Sequence, residues 1–235
     1  MTKRLEGQLA LVTGASRGIG AATAEALAAA GAHVILTART VAGLESVEER
    51  IHDAGGNATI APLDLSDTDG ITRLAEAISG RWKALDVLVL NAATLGTLTP
   101  VPHIDAKEFT RVITLNLTSQ AAMIGAFDGM LRAAAGARVI GLTSSVGATP
   151  RAYWGAYGAS KAGFETLLGS YAEETRNIGR VKVAIVDPGA TRTVMRARAF
   201  PGEDPADVKM PETVGARIAA LAAEGFDTGH RERVN

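Results

Sequence analysis

The chain has 235 residues, which is enough to bury a sizeable core within one α/β domain. Its 24 lysines and arginines nearly balance its 25 aspartates and glutamates, and this balance disfavours nucleic acid or an anionic membrane as a partner. Because the chain contains no cysteine, disulfides, thiolate metal sites and cysteine nucleophiles are excluded.

The start of the chain carries two basic residues but no long apolar stretch, which predicts no secretory signal and a cytoplasmic location. The longest charge-free run covers residues 87–104. It contains two prolines, a glycine and an asparagine, so we interpret it as a buried strand and a loop, not as a membrane helix.

Short apolar runs recur along the chain between longer amphipathic stretches. Runs without alternating polar residues are typical of strands covered by helices on both faces of a parallel sheet. The pattern predicts an α/β fold, a single doubly wound Rossmann-like domain over residues 1–235 with a mostly parallel sheet. The six runs are residues 9–14, 32–38, 58–64, 85–91, 137–145 and 181–189.

Two of the intervening stretches, residues 43–56 and 163–179, have the amphipathic pattern of helices. Glycines at 31, 55 and 179 stand where helices are expected to end. The proline-containing segment 199–212 predicts a surface loop or lid. The tail from residue 227 is polar, so the sequence does not decide whether it forms a last strand.

A glycine turn follows the first predicted strand, with Gly14, Gly18 and Gly20 in a GxxxGxG spacing. Glycine permits a tight turn and a close approach of the backbone to a pyrophosphate, while a helix N-terminus attracts phosphate. The turn therefore predicts a nucleotide site. The alternative is an ordinary tight turn between a strand and a helix.

The end of the second strand predicts which dinucleotide binds. A carboxylate there would favour a free ribose 2′-hydroxyl, but the chain has Ala38 and Arg39, and Arg17 adds a second guanidinium. A guanidinium suits a 2′-phosphate, so we predict NADP(H), with NAD(H) as the alternative cofactor. The alternative for the two arginines is simple solvation.

Seven motifs occur in a fixed order along residues 8 to about 195, and with them the sequence resembles the short-chain dehydrogenase/reductase family. The resemblance implies a sheet of about seven strands, a nicotinamide dinucleotide, and hydride transfer to or from a carbonyl or alcohol. It also implies a homodimer or homotetramer. The motifs are TGASRGIG at 13–20, LDL at 63–65, NAA at 91–93, NLTS at 116–119, Ser144, YGASK at 157–161 and PGATRT at 188–193.

The resemblance also assigns roles to individual residues. It implies Tyr157 as the general acid/base, Lys161 as its partner, Ser144 on the substrate oxygen and Asn116 on a relay water. It divides the chain into a cofactor half (about 8–95), a catalytic half (about 96–195), and a substrate loop with the C-terminal segment (about 190–235). The chain departs from the family pattern at Ala93, where the family has glycine, and at Ala184, where many members have asparagine.

For the cofactor, the resemblance places Asp64 at the adenine amine, Asn91 on the adenosine side and Thr193 at the nicotinamide carboxamide. Lys161 is also expected to bind the nicotinamide ribose. The remaining cofactor-binding residues predicted from the same motifs are Gly14, Ser16, Arg17, Gly18, Ile19, Gly20, Arg39, Leu65, Ala92, Tyr157, Pro188, Gly189 and Thr191.

The spacing of the tyrosine and the lysine has a physical rationale. A phenol with a pKa of about 10 is a reluctant acid or base near neutrality. Residues four apart share a helix face, so we expect the ammonium of Lys161 to lower the pKa of Tyr157. Ser144 follows the fifth strand, where open α/β sheets bind ligands. Asn116 lies inside an apparent helix that begins near Asp105, where its amide would serve a backbone distortion or a water.

Other candidate groups give weaker signals. His33, His52, His103 and His230 lack a metal-ligand spacing, so no metal is predicted. Tyr153 and Trp154 precede the YGASK motif and are expected to line an apolar substrate pocket, to pack in the core or to contact another subunit.

The function predicted from these features is an oxidoreductase that uses NADP(H) on a carbonyl or alcohol. The alternatives are a non-catalytic NADPH-binding or scaffold protein, or an epimerase or dehydratase on the same fold. The epimerase alternative is disfavoured because only a short segment follows Asp187.

Overall fold

The computed structural model describes residues 4–235 and shows one sheet of seven strands in the order β3-β2-β1-β4-β5-β6-β7. Each neighbouring pair of strands is parallel. This agrees with the predicted doubly wound sheet. The strands are β1 Leu9–Thr13, β2 His33–Thr37, β3 Asn57–Ile60, β4 Val87–Leu90, β5 Ala137–Leu142, β6 Val181–Asp187 and β7 His230–Arg233.

Helices cover both faces of this sheet. They are α1 Gly18–Ala29, α2 Val41–Asp53, α3 Thr68–Ser79, α4 Ala106–Ile113, α5 Ser119–Ala133, α6 Ser145–Ala148, α7 Gly155–Arg176, α8 Val194–Ala199 and α9 Pro211–Glu224. A π-helical turn, Thr114–Thr118, joins α4 to α5, and 3-10 turns occupy Val101–His103 and Pro205–Asp207.

The core consists of two apolar layers, one on each face of the sheet. Along β1, Ala10 and Val12 pack with α1, α2 and α9, whereas Leu9 and Leu11 pack with α3, α5 and α7. All four side chains are at most 3 % exposed, because alternate residues of a strand face opposite sides of the sheet. This burial on both faces is why the strands read as continuous apolar runs.

The seventh strand lies in the polar tail, where the sequence left a strand open. Its backbone pairs with β6 from Ala184 to Asp187, and Gly229 N donates to the Val183 carbonyl at 2.8 Å just before it. Arg231 and Arg233 alternate with partly buried residues along this edge strand. The apolar signal is absent because this strand is only half-buried.

The segment predicted as a loop or lid ends earlier than expected. Residues 200–210 form an irregular connection with one 3-10 turn, but α9 begins at Pro211. Proline fits the first position of a helix because its missing N–H would lack a partner there in any case.

The site follows from the strand order. The chain runs outward in opposite directions from β1 and from β4, so the loops that follow these two strands diverge. In open α/β sheets the resulting crevice, at the carboxyl ends of the strands, is where ligands bind. No helix in residues 4–235 is long and apolar enough to cross a membrane.

Candidate active site

The glycine turn between β1 and α1 is too tight for side chains at two of its positions. Gly14 has a φ of +67°, a region that favours glycine. A Cβ at Gly20 would collide with the Gly14 carbonyl and lie 2.6 Å from Nδ2 of Asn91. The close approach of α1 to the end of β1 therefore requires glycine at both positions.

Side chains from the first and fourth strands fix this turn from below. Thr13 Oγ1 donates to the Val89 carbonyl at 3.1 Å and accepts from the backbone N–H of Asn91 at 2.9 Å and of Ala92 at 3.0 Å. Asn91 Nδ2 donates to the Thr13 carbonyl at 2.8 Å. The structure thus places Asn91 beneath the turn, where it holds β1 against β4.

The N-terminus of α1 faces the crevice without a side-chain cap at Arg17. Gly18 has a φ of +56°, and a Cβ there would lie 3.3 Å from Cγ2 of Thr193 on the opposite wall. Uncapped N–H groups and a backbone without side-chain bulk form a cradle that fits a pyrophosphate.

The loops that follow β2 and β3 carry the predicted adenosine contacts Arg39 and Asp64. Nη1 of Arg39 lies 3.7 Å from Oδ2 of Asp64, and both side chains are about half exposed or more. The other carboxylate oxygen of Asp64 accepts from Ser66 N at 2.9 Å. Arg17 is exposed at the neighbouring turn. Guanidinium groups are therefore accessible on this side of the cleft. The residue just after β2 that could carry a carboxylate is Ala38, which has none.

Most of the predicted cofactor-binding residues line one cleft of about 480 Å³. Gly189 and Thr191 do not line it; Thr191 is buried, and its hydroxyl donates to the Pro188 carbonyl at 3.0 Å. The lining residues that were predicted are Gly14, Ser16, Arg17, Gly18, Ile19, Gly20, Arg39, Asp64, Leu65, Asn91, Ala92, Tyr157, Lys161, Pro188 and Thr193.

Tyr157 and Lys161 lie one turn apart on α7, and both contribute to the cleft. Lys161 Nζ donates to the Leu142 carbonyl at 2.7 Å and lies 5.8 Å from the centroid of the Tyr157 ring. Tyr157 is 7 % exposed and Lys161 is 3 % exposed. The predicted pair is therefore assembled, and its ammonium is held against the end of β5.

The pKa of the phenol differs from the sequence expectation. Burial raises the pKa of Tyr157, and Asp187 adds to the rise, while the Ser144 side chain opposes it. Burial lowers the pKa of Lys161 to about 8, and Glu165 opposes that change. The net direction at the phenol is opposite to the one expected from Lys161, because loss of solvation dominates at a buried phenol.

Asn116 lies in the π-helical turn and is fully buried. Its Oδ1 accepts from Thr94 N at 2.8 Å, and its Nδ2 donates to the Thr94 carbonyl at 2.8 Å and to Ser160 Oγ at 3.0 Å. Ser160 in turn donates to the Tyr157 carbonyl at 2.7 Å. Of the two expectations, the structure shows the backbone distortion; Asn116 links it to the helix that carries Tyr157.

An apolar wall stands beside the tyrosine. Leu95 and Val146 pack with Tyr157, and Leu98, Trp154, Met195 and Ala199 extend this cluster. The Trp154 ring meets the Tyr157 ring edge-on, with 5.9 Å between centroids, and lies 5.7 Å from the Phe200 ring. Of the three alternatives for Trp154, the structure shows apolar packing, and Trp154 does not itself line the cleft.

Tyr153 lies apart from this wall. It is 60 % exposed and has a φ of 73°, an uncommon value for a residue other than glycine. Its carbonyl accepts from Thr99 N at 3.1 Å, which ties together the two loops beside the wall.

Several residues of the site were missed by the sequence analysis. Thr143 and Arg192 line the cleft, as does the start of α9 at Met210, Pro211 and Glu212. Glu165 lies one turn beyond Lys161, and a signal for it existed, because it continues the spacing of four that joins Tyr157 to Lys161. Ala93, in place of the family's glycine, lines the cleft without a positive φ.

Residues 4–235 contain no group of three or more histidine, aspartate or glutamate side chains placed to hold a metal ion. A second notch, of about 420 Å³, is lined by Arg138, Arg180 and Phe226 at the amino ends of β5 and β6. It lies at the opposite edge of the sheet from every predicted site residue.

Comparisons with known proteins agree with this geometry. Residues 8–204 match the family model described as short chain dehydrogenase. The chain is 34 % identical to the uncharacterized oxidoreductase YciK of Escherichia coli K12, over 89 % of this chain and 84 % of that protein.

Two solved structures are similar over the whole chain. A short-chain dehydrogenase from Pseudomonas syringae has a TM-score of 0.95 and 35 % identity, with 100 % of this chain and 97 % of that chain covered. A second one, from Shigella flexneri 2a, was solved with NADP; its TM-score is 0.94 and its identity 32 %, with 100 % and 99 % covered.

Proposed function

The chain belongs to the short-chain dehydrogenase/reductase family, and from that premise we propose that it transfers a hydride between NADP(H) and a carbonyl or alcohol. The observation that carries the proposal is the pair of Tyr157 and Lys161, buried together at the cleft that the glycine turn opens. A buried titratable pair beside a phosphate cradle is an arrangement suited to chemistry on a bound dinucleotide.

The nicotinamide supplies the hydride when it is bound. Tyr157 holds the proton that a reduced carbonyl oxygen needs, and burial keeps that proton on the phenol until an oxyanion develops. Ser144 stands at the carboxyl end of β5 to donate to the same oxygen. Lys161, held by the Leu142 carbonyl, keeps a positive charge near the Tyr157 phenol below pH 8.

The cofactor residues follow the walls of the cleft. The turn from Gly14 to Gly20 would hold the pyrophosphate, and Arg17 and Arg39 would bind the 2′-phosphate. Asp64 and Leu65 would contact the adenine, with Thr193 at the carboxamide. The NADP bound to the Shigella flexneri relative supports NADP(H) as the cofactor here, with NAD(H) as the alternative.

For Asn116 we propose a positioning role beside the predicted contact with a relay water. Its amide is already bonded to Thr94 and Ser160, and it reaches Tyr157 only through the Ser160 hydroxyl. Gly189 and Thr191 would shape the loop that presents Thr193, since neither lines the cleft.

The wall beside Tyr157 favours an apolar carbonyl compound. Leu95, Val146, Trp154 and Met195 offer hydrocarbon and aromatic surface next to the phenol. Such a wall would exclude water from the reacting carbon, and it would bind a cyclic or branched hydrocarbon skeleton better than a polyhydroxylated one.

The decisive experiment uses Tyr157→Phe. Oxidation of NADPH and of NADH would be followed in parallel with apolar, sugar-like and acyl-thioester carbonyls. We expect turnover with NADPH in the wild type and a loss of at least about 10²-fold in the variant, with the Kd for NADPH unchanged. Arg39→Ala would raise the KM for NADPH but not for NADH, with Arg73→Ala, a surface arginine outside the cleft, as its control.

The result of that panel also decides between functions. NADPH binding without oxidation by any carbonyl would favour the non-catalytic binding or scaffold protein. Undiminished turnover in Tyr157→Phe would show that another group delivers the proton.

We also propose that the protein forms a homodimer or homotetramer, as the family resemblance implies. Sedimentation velocity at several concentrations would measure the state of assembly, and a monomer at all of them would contradict it. The cytoplasmic location likewise stays a prediction, which cell fractionation would test.

A further inference from the structure

Glu165 is a carboxylate behind the redox site that the roles above leave unused. It lies on α7 one turn beyond Lys161, and its side chain is 13 % exposed. One carboxylate oxygen accepts from the Thr143 hydroxyl at 2.5 Å, and the other lies 2.7 Å from Nη1 of Arg231 on β7. A Cβ at Gly147 of α6 would lie 2.9 Å from that first oxygen, so α6 also closes over it.

One partner of Glu165, Thr143, lies at the carboxyl end of β5, where the redox site is formed. Three consecutive residues there have different tasks: the Leu142 carbonyl accepts from Lys161 Nζ, and the Thr143 hydroxyl donates to Glu165. Ser144 comes next, and its side chain acts on Tyr157. Lys161 and Glu165 therefore fasten the same helix to two adjacent residues, the last residue of β5 and the residue that follows it.

Charge balance explains why Arg231 is part of the arrangement. A carboxylate with little solvent requires partners for its oxygens, and the Thr143 hydroxyl satisfies only one of them. Arg231 provides the second partner from β7, two strands away from β5 in the sheet. Through this guanidinium the polar last strand of the sheet contacts Glu165 behind the redox site.

We propose that Glu165, held by Arg231, is a positioning residue of the redox site that fixes Thr143 and Ser144 against the helix carrying Tyr157 and Lys161. The proposal rests on the proposed function for its catalytic consequence. Its structural and electrostatic content stands on the contacts of Glu165 alone.

The same carboxylate acts on the charge of Lys161. Burial lowers the pKa of this lysine and Glu165 raises it, so the two effects oppose each other. The other charged groups near the pair are Asp187 at the end of β6, which acts on Tyr157 and has Arg233 at 3.8 Å, and Arg231 itself. Removal of Glu165 or of Arg231 should therefore shift the charge state of Lys161 in opposite directions.

The experiment compares Glu165→Gln and Arg231→Gln with the wild type. Glutamine keeps the shape of Glu165 and removes its charge. Glu173→Gln is the matched control, because Glu173 lies on the same helix and pairs with Arg176 on the surface, where it is 68 % exposed. The titration of Lys161 would be followed by NMR with ¹³Cε-labelled lysine, its signal assigned with Lys161→Arg, alongside the pH profile of kcat.

We expect a lower pKa of Lys161 in Glu165→Gln, a higher one in Arg231→Gln and no change in Glu173→Gln. Glu165→Gln and Arg231→Gln should each lose roughly ten- to a hundredfold in kcat, because small displacements of reacting groups are costly. The alkaline limb of the pH profile of kcat should shift in the same direction as the pKa of Lys161 in each variant. A purely structural role of Glu165 would not produce this shift.

Identical lysine titrations in the wild type, Glu165→Gln and Arg231→Gln would overturn the proposal. If Glu165→Gln does not fold, Arg231→Gln decides it alone, by the presence or absence of the upward shift. A wild type without turnover on any carbonyl would reject the proposed function, while the titration would still decide the electrostatic coupling of Glu165 to Lys161.

Discussion

Lys161 shows how burial sets the chemistry of a single residue. The side chain is 3 % exposed, and its ammonium has the Leu142 carbonyl as a partner, yet burial lowers its pKa to about 8. Desolvation acts on the charged form of every ionisable group, so it lowers the pKa of a lysine and raises that of a tyrosine. Both members of the pair are thereby driven towards their neutral forms.

The first prediction concerns the pH dependence of cofactor binding. Below pH 8 the buried lysine is an ammonium that attracts an anionic dinucleotide, and above pH 8 that charge is lost. We expect the Kd for NADPH to rise by about tenfold between pH 7 and pH 9.5, the value of one charged hydrogen bond. Fluorescence titration would measure it.

Lys161→Met is the control for this prediction. It should bind NADPH more weakly at pH 7 and show little further change up to pH 9.5. An equal rise of Kd in both proteins would assign the pH dependence to another group.

At the scale of elements, the contact between β5 and α7 places the catalytic pair. Gly141 of β5 leaves room for the helix, since a Cβ there would collide with Leu168 and lie 2.9 Å from Cζ of Phe164. Lys161 precedes these two residues on the same helix and reaches the next residue of the strand, Leu142. The absence of one side chain in a strand thus determines how near the lysine comes to the sheet.

The second prediction follows from that contact. Gly141→Ala should lower the free energy of unfolding by about 1–3 kcal/mol, the usual cost of overpacking. It should also reduce kcat, because α7 would move away from Leu142. Chemical denaturation and steady-state kinetics with NADPH would measure the two effects.

Gly169→Ala provides the comparison on the same helix. A Cβ at Gly169 meets open space, so this substitution should raise the free energy of unfolding by about 0.5–1 kcal/mol and leave kcat unchanged. Equal stability of the two variants would contradict the close packing at Gly141.

At the scale of the whole molecule, the helices on one face of the sheet pack the two ends of the chain together. The layer that contains α1 and α9 joins residues from both ends of the sequence; a Cβ at Gly215 of α9 would lie 2.6 Å from the backbone of Ala22 on α1. Helices in such backbone contact resist separation. We therefore propose that residues 1–235 fold as one domain.

The third prediction tests this unity through the chain's two tryptophans. Trp82 reports on the cofactor half, and Trp154 reports on the catalytic half. Single-tryptophan variants made by Trp→Phe at the other position should each unfold in one transition whose midpoint matches that of far-UV circular dichroism. Distinct midpoints for the two fluorophores would indicate separable units.

The sequence by itself determined the fold class, the first six strands and most of the cleft. It could do so because continuous apolar runs report burial on both faces, and because Gly14 and Gly20 occupy positions that tolerate no side chain. Tyr157 and Lys161 were identified by the resemblance of the YGASK motif to the family, and their spacing gave the physical rationale, since residues four apart share a helix face.

Only the tertiary structure decided the rest. The last strand carries no apolar signal, because an edge strand pairs through its backbone and its arginines find carboxylates contributed by distant segments. The direction of the pKa change at Tyr157 was missed because burial depends on what the fold packs around the phenol, and sequence spacing does not contain that information. The two partners of Glu165, Thr143 and Arg231, come from segments distant from α7 in the sequence, and a linear pattern cannot report such contacts.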